Sequence, residues 1–296
     1  MNLQTSTDSP VPTKVLVLGA AGMLGNAVLR LFADSPGFDV IGSARTLDSV
    51  QLLRADLRAK VHVGIDVDNA DALARLIDQV RPNAVINCVG LVKQLAEVDD
   101  PLAALPINSI LPHRLARFCS LSGARLVHIS TDCVFSGSRG GYTEDDANDA
   151  QDLYGRSKLL GEVDHPHSIT LRTSIIGHEL ASKHGLVGWF LSQSGSVRGN
   201  RRAVFSGLPT VELARVIRDN VLPAPELHGL YHVSAEAIDK CSLLQLVARQ
   251  YGKAIEIIPD DMLVIDRSLD SKRFRTATGY APPAWPALVQ RMHAFG

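Results

Sequence analysis

The sequence is poor in sulfur and in large aromatic rings, with four cysteines, four methionines and two tryptophans in 296 residues. The cysteines (Cys88, Cys119, Cys133 and Cys241) form no C-x-x-C pair, and no Cys/His cluster has zinc-ligand spacing. That excludes a disulfide-built scaffold and a structural zinc module, and no metal is expected. The thiols read as small buried hydrophobes in a reducing compartment. An excess of either charge is also missing: the formal balance is −1 at pH 7. No global field exists to hold a nucleic acid or an anionic membrane. No apolar run approaches the ~20 residues that a membrane span needs. Residues 1–12 are polar, carry two prolines and lack the apolar core of a secretory signal. The expectation is a cytoplasmic protein with a flexible extension over residues 1–13, bound to neither nucleic acid nor membrane.

What is present is an ordinary globular composition, 46% hydrophobic and 21% charged. The length suits one large α/β domain, or a main domain with an appendage. KVLVL (14–18) reads as a buried parallel strand, and residues 23–32 follow with helical spacing. Further strands are predicted at 38–43, 61–65, 84–88, 125–130 and 169–173. Helices are predicted at 70–80, 107–119 and 154–163. Strands alternating with helices imply a doubly wound parallel sheet, whose ligands lie beyond the carboxyl ends of the strands. The polar stretch 136–152 is long enough for a substrate loop or lid. The predicted division is a dinucleotide-binding domain over 14–174 and a smaller, interleaved substrate-binding region over 175–296.

Directly after the first strand come Gly19, Ala21, Gly22, Met23, Leu24 and Gly25, in a G-x-x-G-x-x-G turn. Glycine permits a tight turn and lets the backbone approach a pyrophosphate closely. The first N–H groups of the next helix can then meet the phosphates. An NAD site usually carries an acid at the end of the second strand, for the ribose 2′-hydroxyl. Here that end reads Ser43-Ala44-Arg45, with no carboxylate. Ser43 and Arg45 suit a 2′-phosphate, so NADP(H) is favoured over NAD(H); the alternative is that Arg45 is a solvated loop charge. Asp66 and Val67, after the third strand, are placed for the adenine, or Asp66 caps the following helix.

Tyr154 and Lys158 are four residues apart, so on a helix they share one face. A lysine ammonium beside a phenol favours phenolate and is expected to lower the tyrosine pKa toward neutrality. Such a phenol can give a proton to a carbonyl oxygen or take one from an alcohol. The fifth strand ends in Ser130-Thr131, whose hydroxyls can bond the same carbonyl or simply cap the strand end.

Taken together, GAAGMLG (19–25), NCVG (87–90), STDCVFSG (130–137), YGRSKLLGE (154–162) and RTSIIG (172–177) resemble the extended short-chain dehydrogenase/reductases. Within them the chain is most similar to the dTDP-4-dehydrorhamnose reductase family, from about residue 14 to the C-terminus. The resemblance implies a Rossmann-type α/β fold. It also implies a catalytic set of Thr131 as hydroxyl, Tyr154 as general acid and Lys158 holding the nicotinamide ribose. Asn87, Cys88, Val89 and Gly90 would border the cofactor, with Asn108 supporting the site and Thr173, Ser174 and Ile175 near the nicotinamide. Val134 and Phe135 would lie on the substrate side. The chain departs from the family pattern at Val89, Ala150 and residues 91–94.

A sugar-nucleotide substrate carries a pyrophosphate, so basic residues should face its pocket. Lys93, Arg198, Arg201, Arg202 and Arg267 are candidates, and each can equally be a surface charge. His178 can touch substrate or sit on the surface. The leading reading is an NAD(P)H-dependent reductase of a 4-keto-deoxysugar nucleotide in polysaccharide biosynthesis, acting as a homodimer or alone. Two alternatives remain: an epimerase or dehydratase with tightly held NAD, and a non-catalytic dinucleotide-binding regulatory subunit.

Overall fold

The computed structural model describes residues 11–92 and 96–296. Six strands run in the predicted order: β1 (Thr13–Leu18), β2 (Phe38–Ala44), β3 (Val61–Val63), β4 (Ala84–Asn87), β5 (Arg125–Thr131) and β6 (Ser168–Thr173). They lie side by side as β3-β2-β1-β4-β5-β6, and every neighbouring pair is parallel. This is the doubly wound order with its switch point between β1 and β4. A seventh strand, Gly229–His232, adds to the far side of β6, also parallel. Its four residues are too short to read from periodicity, and it comes from beyond residue 174.

Both sheet faces are covered, and the β1 sequence shows why its apolar run is continuous. Val15 and Val17 enter one core, with Leu24, Val28, Leu29 and Phe32 of the helix Met23–Ala33. Leu16 and Leu18 enter the other, with Leu73, Leu76, Ile77 and Val80 of Ala70–Val80 and Leu111, Leu115 and Cys119 of Leu111–Ser122. Alternate side chains of a parallel strand thus bury in different layers.

The helix predicted at 107–119 is built differently. It begins at Pro101–Ala104, widens into a π turn over Leu105–Ile110, and resumes as Leu111–Ser122. Pro112 has no N–H to offer the carbonyl four residues back, at Asn108, so the regular ladder cannot close there. The helix predicted at 154–163 is Leu153–Leu160, capped by Asp152, whose carboxylate accepts the Gly155 N–H at 2.8 Å.

The stretch 136–152 is a strap tied along its length. Asp266 N–H donates to the Gly137 carbonyl, Tyr142 N–H to that of Ser268, and Asp270 N–H to that of Tyr142. Asp149 accepts from Ser136, and Arg139 pairs with Asp146.

The C-terminal part contains short strand pairs. Ile175–Ile176 pairs with Leu208–Pro209, and Ser196–Asn200 with Glu256–Asp260. Ala203–Phe205 lies between Ile238–Asp239 and Ile265–Asp266. No helix among the described residues is long and apolar enough to cross a membrane. No group of three His, Cys, Asp or Glu stands together among them as a metal site.

Candidate active site

The parallel register brings the ends of three strands together. Leu18 of β1 lies opposite Ser43 of β2 and Asn87 of β4. Gly19 follows with φ +76°, a left-handed conformation open to glycine, and a side chain there would press on Val89 and Cys88. A Cβ on Gly25 would collide with the carbonyl of Gly19, so the helix Met23–Ala33 can approach the turn only without one. The Gly22 N–H closes the turn onto the Gly19 carbonyl at 3.0 Å. The first intrahelical bond is from Asn26 N–H to the Gly22 carbonyl. The N–H groups of Met23, Leu24 and Gly25 precede it, at the positive end of the helix. Ala21 is half-buried between them and Ala20. The cradle that a side chain would fill, with backbone donors at its rim, fits a dinucleotide pyrophosphate.

Around the cradle the predicted cofactor residues divide. Arg45 is exposed just past β2, whereas the Ser43 side chain is 1% exposed and faces away from bulk solvent. Asp66 is exposed and accepts the Asp68 N–H at 3.0 Å. It does not cap the next helix; Asn69 does, accepting from Ala72 N–H. Val67 is half-buried against the second core. Asn87 is buried, accepts the Val89 N–H and lies 3.1 Å from His128 Nδ1. Burial raises the Cys88 thiol to about 12, so it stays protonated.

On the other side of the switch point stand the predicted catalytic residues. A Cβ on Gly90 would lie 3.4 Å from Asn108 Oδ1 and 3.8 Å from Lys158 Nζ, so these three groups meet. Asn108, in the π turn, accepts the Leu91 N–H and donates to the Leu91 carbonyl and to Ser157 Oγ. It thereby ties the chain after β4 to the helix carrying Tyr154 and Lys158. Lys158 is 5% exposed and donates to the Ile129 carbonyl at 2.7 Å. Burial lowers its pKa to about 8, opposed by the Glu162 carboxylate. The Thr131 hydroxyl neighbours the Tyr154 phenol and lowers its pKa. Thr131 Oγ1 donates to Asp132 Oδ1 at 3.2 Å and accepts the Cys133 N–H.

The expected lowering of the tyrosine pKa is not seen. Burial, aided by the neighbouring Cys133 and Asp132, holds the Tyr154 phenol above its ordinary value, and the Thr131 hydroxyl opposes this only in part. Lys158 spends its proton on a backbone carbonyl, and desolvation of the phenol prevails. Tyr154 is therefore a protonated acid at neutral pH, the form that reduction of a carbonyl requires.

Thr173 is buried, and Ser174 is half-buried near Asp132, whose pKa it lowers. Ile175 is half-buried in its short strand. On the substrate side several expectations shift. Val134 and Phe135 are fully buried, with Phe135 stacked on Tyr142 at 4.1 Å, so they support the site from within. His178 is bonded to the Tyr251 hydroxyl at 2.8 Å. Arg198 pairs with Asp260 and Arg201 with Asp261, on an exposed strand pair. Lys93 lies outside the described residues. Arg267 is nearer the chemistry: it donates from Nε to the Phe135 carbonyl at 2.8 Å and acts on buried Asp132.

Sequence reasoning passed over Asp132, Glu162, Arg172 and His232. The signal was there in Arg172: a charge in the middle of an apolar strand must find a buried partner.

A doubly wound sheet, a glycine cradle at its switch point, and a tyrosine and lysine one turn apart beyond β5 define an extended short-chain dehydrogenase/reductase. Within that class the chain belongs to the family described as RmlD substrate binding domain, which it matches over residues 13–292. It is 24% identical over 313 residues to dTDP-4-dehydrorhamnose reductase of Aggregatibacter actinomycetemcomitans, covering 95% of this chain and 99% of the relative. It is 28% identical over 235 residues to methionine adenosyltransferase 2 subunit beta of Danio rerio, covering 75% and 69%. Among solved structures, dTDP-4-dehydrorhamnose reductase from Bacillus anthracis, in complex with NADP, superposes with a TM-score of 0.78 at 21% identity, covering 97% of this chain and 99% of that one.

Proposed function

We propose that this protein is an NADPH-dependent reductase of a 4-keto-deoxysugar nucleotide, of the dTDP-4-dehydrorhamnose kind. The carrying observation is the Tyr154 phenol, held protonated by burial, one helical turn from buried Lys158 and beside the Thr131 hydroxyl that ends β5. Gly19, Gly22 and Gly25 with the first N–H groups of the helix Met23–Ala33 would hold the pyrophosphate, Arg45 the 2′-phosphate, and Lys158 the nicotinamide ribose. NAD(H) fits the same cradle without the Arg45 contact. When bound, the reduced dinucleotide supplies hydride. Thr131 orients the substrate carbonyl, and Tyr154 gives its proton to the oxygen as negative charge develops there. Lys158, charged below about pH 8, then stabilises the phenolate left behind. Arg267, whose charge acts on buried Asp132, would offer a cation for the substrate's phosphates.

Purified Tyr154→Phe should lose at least about a hundredfold in turnover, the scale of a general acid. It should still quench or enhance NADPH fluorescence on binding as the parent does. Turnover equal to the parent's sinks the mechanism. The likeness to a methionine adenosyltransferase subunit favours a second reading, a dinucleotide-binding subunit without chemistry of its own. That reading predicts NADPH binding with no oxidation of NADPH by any 4-keto sugar nucleotide.

A further inference from the structure

Three side chains stand in one row across the sheet: Ser130 on β5, Arg172 on β6 and His232 on the seventh strand, each in register with the next. Glu162, two residues past the helix Leu153–Leu160, lies over them. Its Oε1 accepts from Ser130 Oγ at 2.7 Å and from Arg172 Nε at 2.8 Å, and its Oε2 accepts from Arg172 Nη2 at 2.6 Å. Arg172 is 1% exposed. Its Nη1 donates to His232 Nε2 at 3.1 Å, which leaves that ring's Nδ1 to donate to the Tyr142 carbonyl at 3.0 Å. A buried ion pair contributes little to stability over a well-packed apolar replacement. None of these groups has a part in the chemistry above.

Their place on β5 supplies one. Lys158 donates to the carbonyl of Ile129, Ser130 bonds Glu162, and Thr131 neighbours Tyr154. Two successive residues of one strand thus hold the lysine and the carboxylate, and the next stands beside the tyrosine. Glu162 follows Lys158 by four residues, and its charge acts on the ammonium against burial. From β5, His128 also faces Lys158, and burial holds that ring neutral. Asn108 and Gly90, from the π turn and the chain after β4, are uncharged. Tyr154, on the same helix, is protonated.

We propose that Glu162 is a positioning residue acting on Lys158: anchored by Ser130 and the Arg172 fork beside the stretch of β5 whose Ile129 carbonyl holds the lysine, its carboxylate favours the ammonium form. The role rests on assigning Lys158 to the reaction, but its test does not need turnover. In protein carrying ¹³C-lysine, the Lys158 ε-carbon resonance, assigned by its loss in Lys158→Arg, is titrated with pH. In Glu162→Gln its midpoint should fall by about one pH unit, the smaller end of the effect of removing an opposite charge nearby. The alkaline limb of kcat should move with it, while KM for NADPH measured below that limb stays within about twofold. Glu162→Asp should restore most of the shift. Because Glu162→Gln leaves Arg172 unpaired in the core, Glu162→Gln with Arg172→Met supplies the same reading in a charge-neutral cluster. A Lys158 midpoint unmoved in both variants overturns the proposal, even if they lose stability. A parent enzyme that titrates as described yet reduces no 4-keto sugar nucleotide overturns the functional reading and leaves the positioning role standing.

Discussion

Lys158 shows how a residue can serve function against stability. Its pKa in the fold, about 8, lies below the ordinary 10.5 because burial disfavours the ammonium. The unfolded chain therefore binds the proton more tightly. The cost of burying the charge is full below about pH 8 and is relieved as pH rises from there toward 10.5. The shift corresponds to roughly 3 kcal/mol as a ceiling. Lys158→Met should therefore unfold at higher urea than the parent at pH 7, by about 1–3 kcal/mol, with a smaller gain at pH 9.5, while activity is lost. A variant no more stable than the parent at pH 7 would show that the ammonium is not strained by burial. Arg45 makes the opposite case, an exposed charge with no packing role. Arg45→Ala should raise KM for NADPH about tenfold, the worth of one charge-assisted contact to the 2′-phosphate, and leave KM for NADH unchanged. Parallel steady-state assays with the two cofactors decide it. The place of Arg45 just past β2, where no acid stands, was legible in the sequence. Glu162 and Arg172 were not, because the pair is ten residues apart in the chain and meets only when β6 lies beside β5.

At the scale of elements, the helix Met23–Ala33 can be tested at its contact with the turn. Gly25→Ala places a methyl against the Gly19 carbonyl, a backbone group that cannot rotate away. Overpacking of this kind costs about 1–3 kcal/mol. Urea melts should show that loss, and NADPH titrations should show affinity falling at least about tenfold as the N–H donors are pushed from the pyrophosphate. An unchanged affinity would separate the cradle from the cofactor. The strand–turn–helix and its glycines were readable in sequence because each element is local and periodic. The π turn at Leu105–Ile110 was not readable as such: its prolines were visible, but not that the widened turn brings Asn108 to Leu91 and Ser157. The strap at 136–152 was recognisable as a long polar loop, and its attachment to residues 266–270 was not.

For the whole molecule, the seventh strand is decisive. It covers β6 with residues from beyond 174, and His232 on it completes the Arg172 cluster. The core around β1 also draws on Leu213, Val216, Leu288 and Val289. A fragment ending at residue 174 should consequently lack a cooperative thermal transition and elute as aggregate by size-exclusion chromatography, because β6 becomes an open edge above an uncovered core. A monomeric fragment with a sharp melt would show that this stretch folds by itself.

The sequence by itself determined the alternation of strands and helices, the glycine turn, the lack of an acid after β2 and the Tyr-x-x-x-Lys spacing. All of these are properties of residues close together in the chain, governed by period and local geometry. Only the tertiary structure decided that the Tyr154 phenol is held up rather than lowered, that Val134 and Phe135 are core, and that Glu162 and Arg172 share one buried cluster. Those outcomes depend on desolvation and on contacts across β5, β6 and the strand Gly229–His232, which exist only once the sheet has closed.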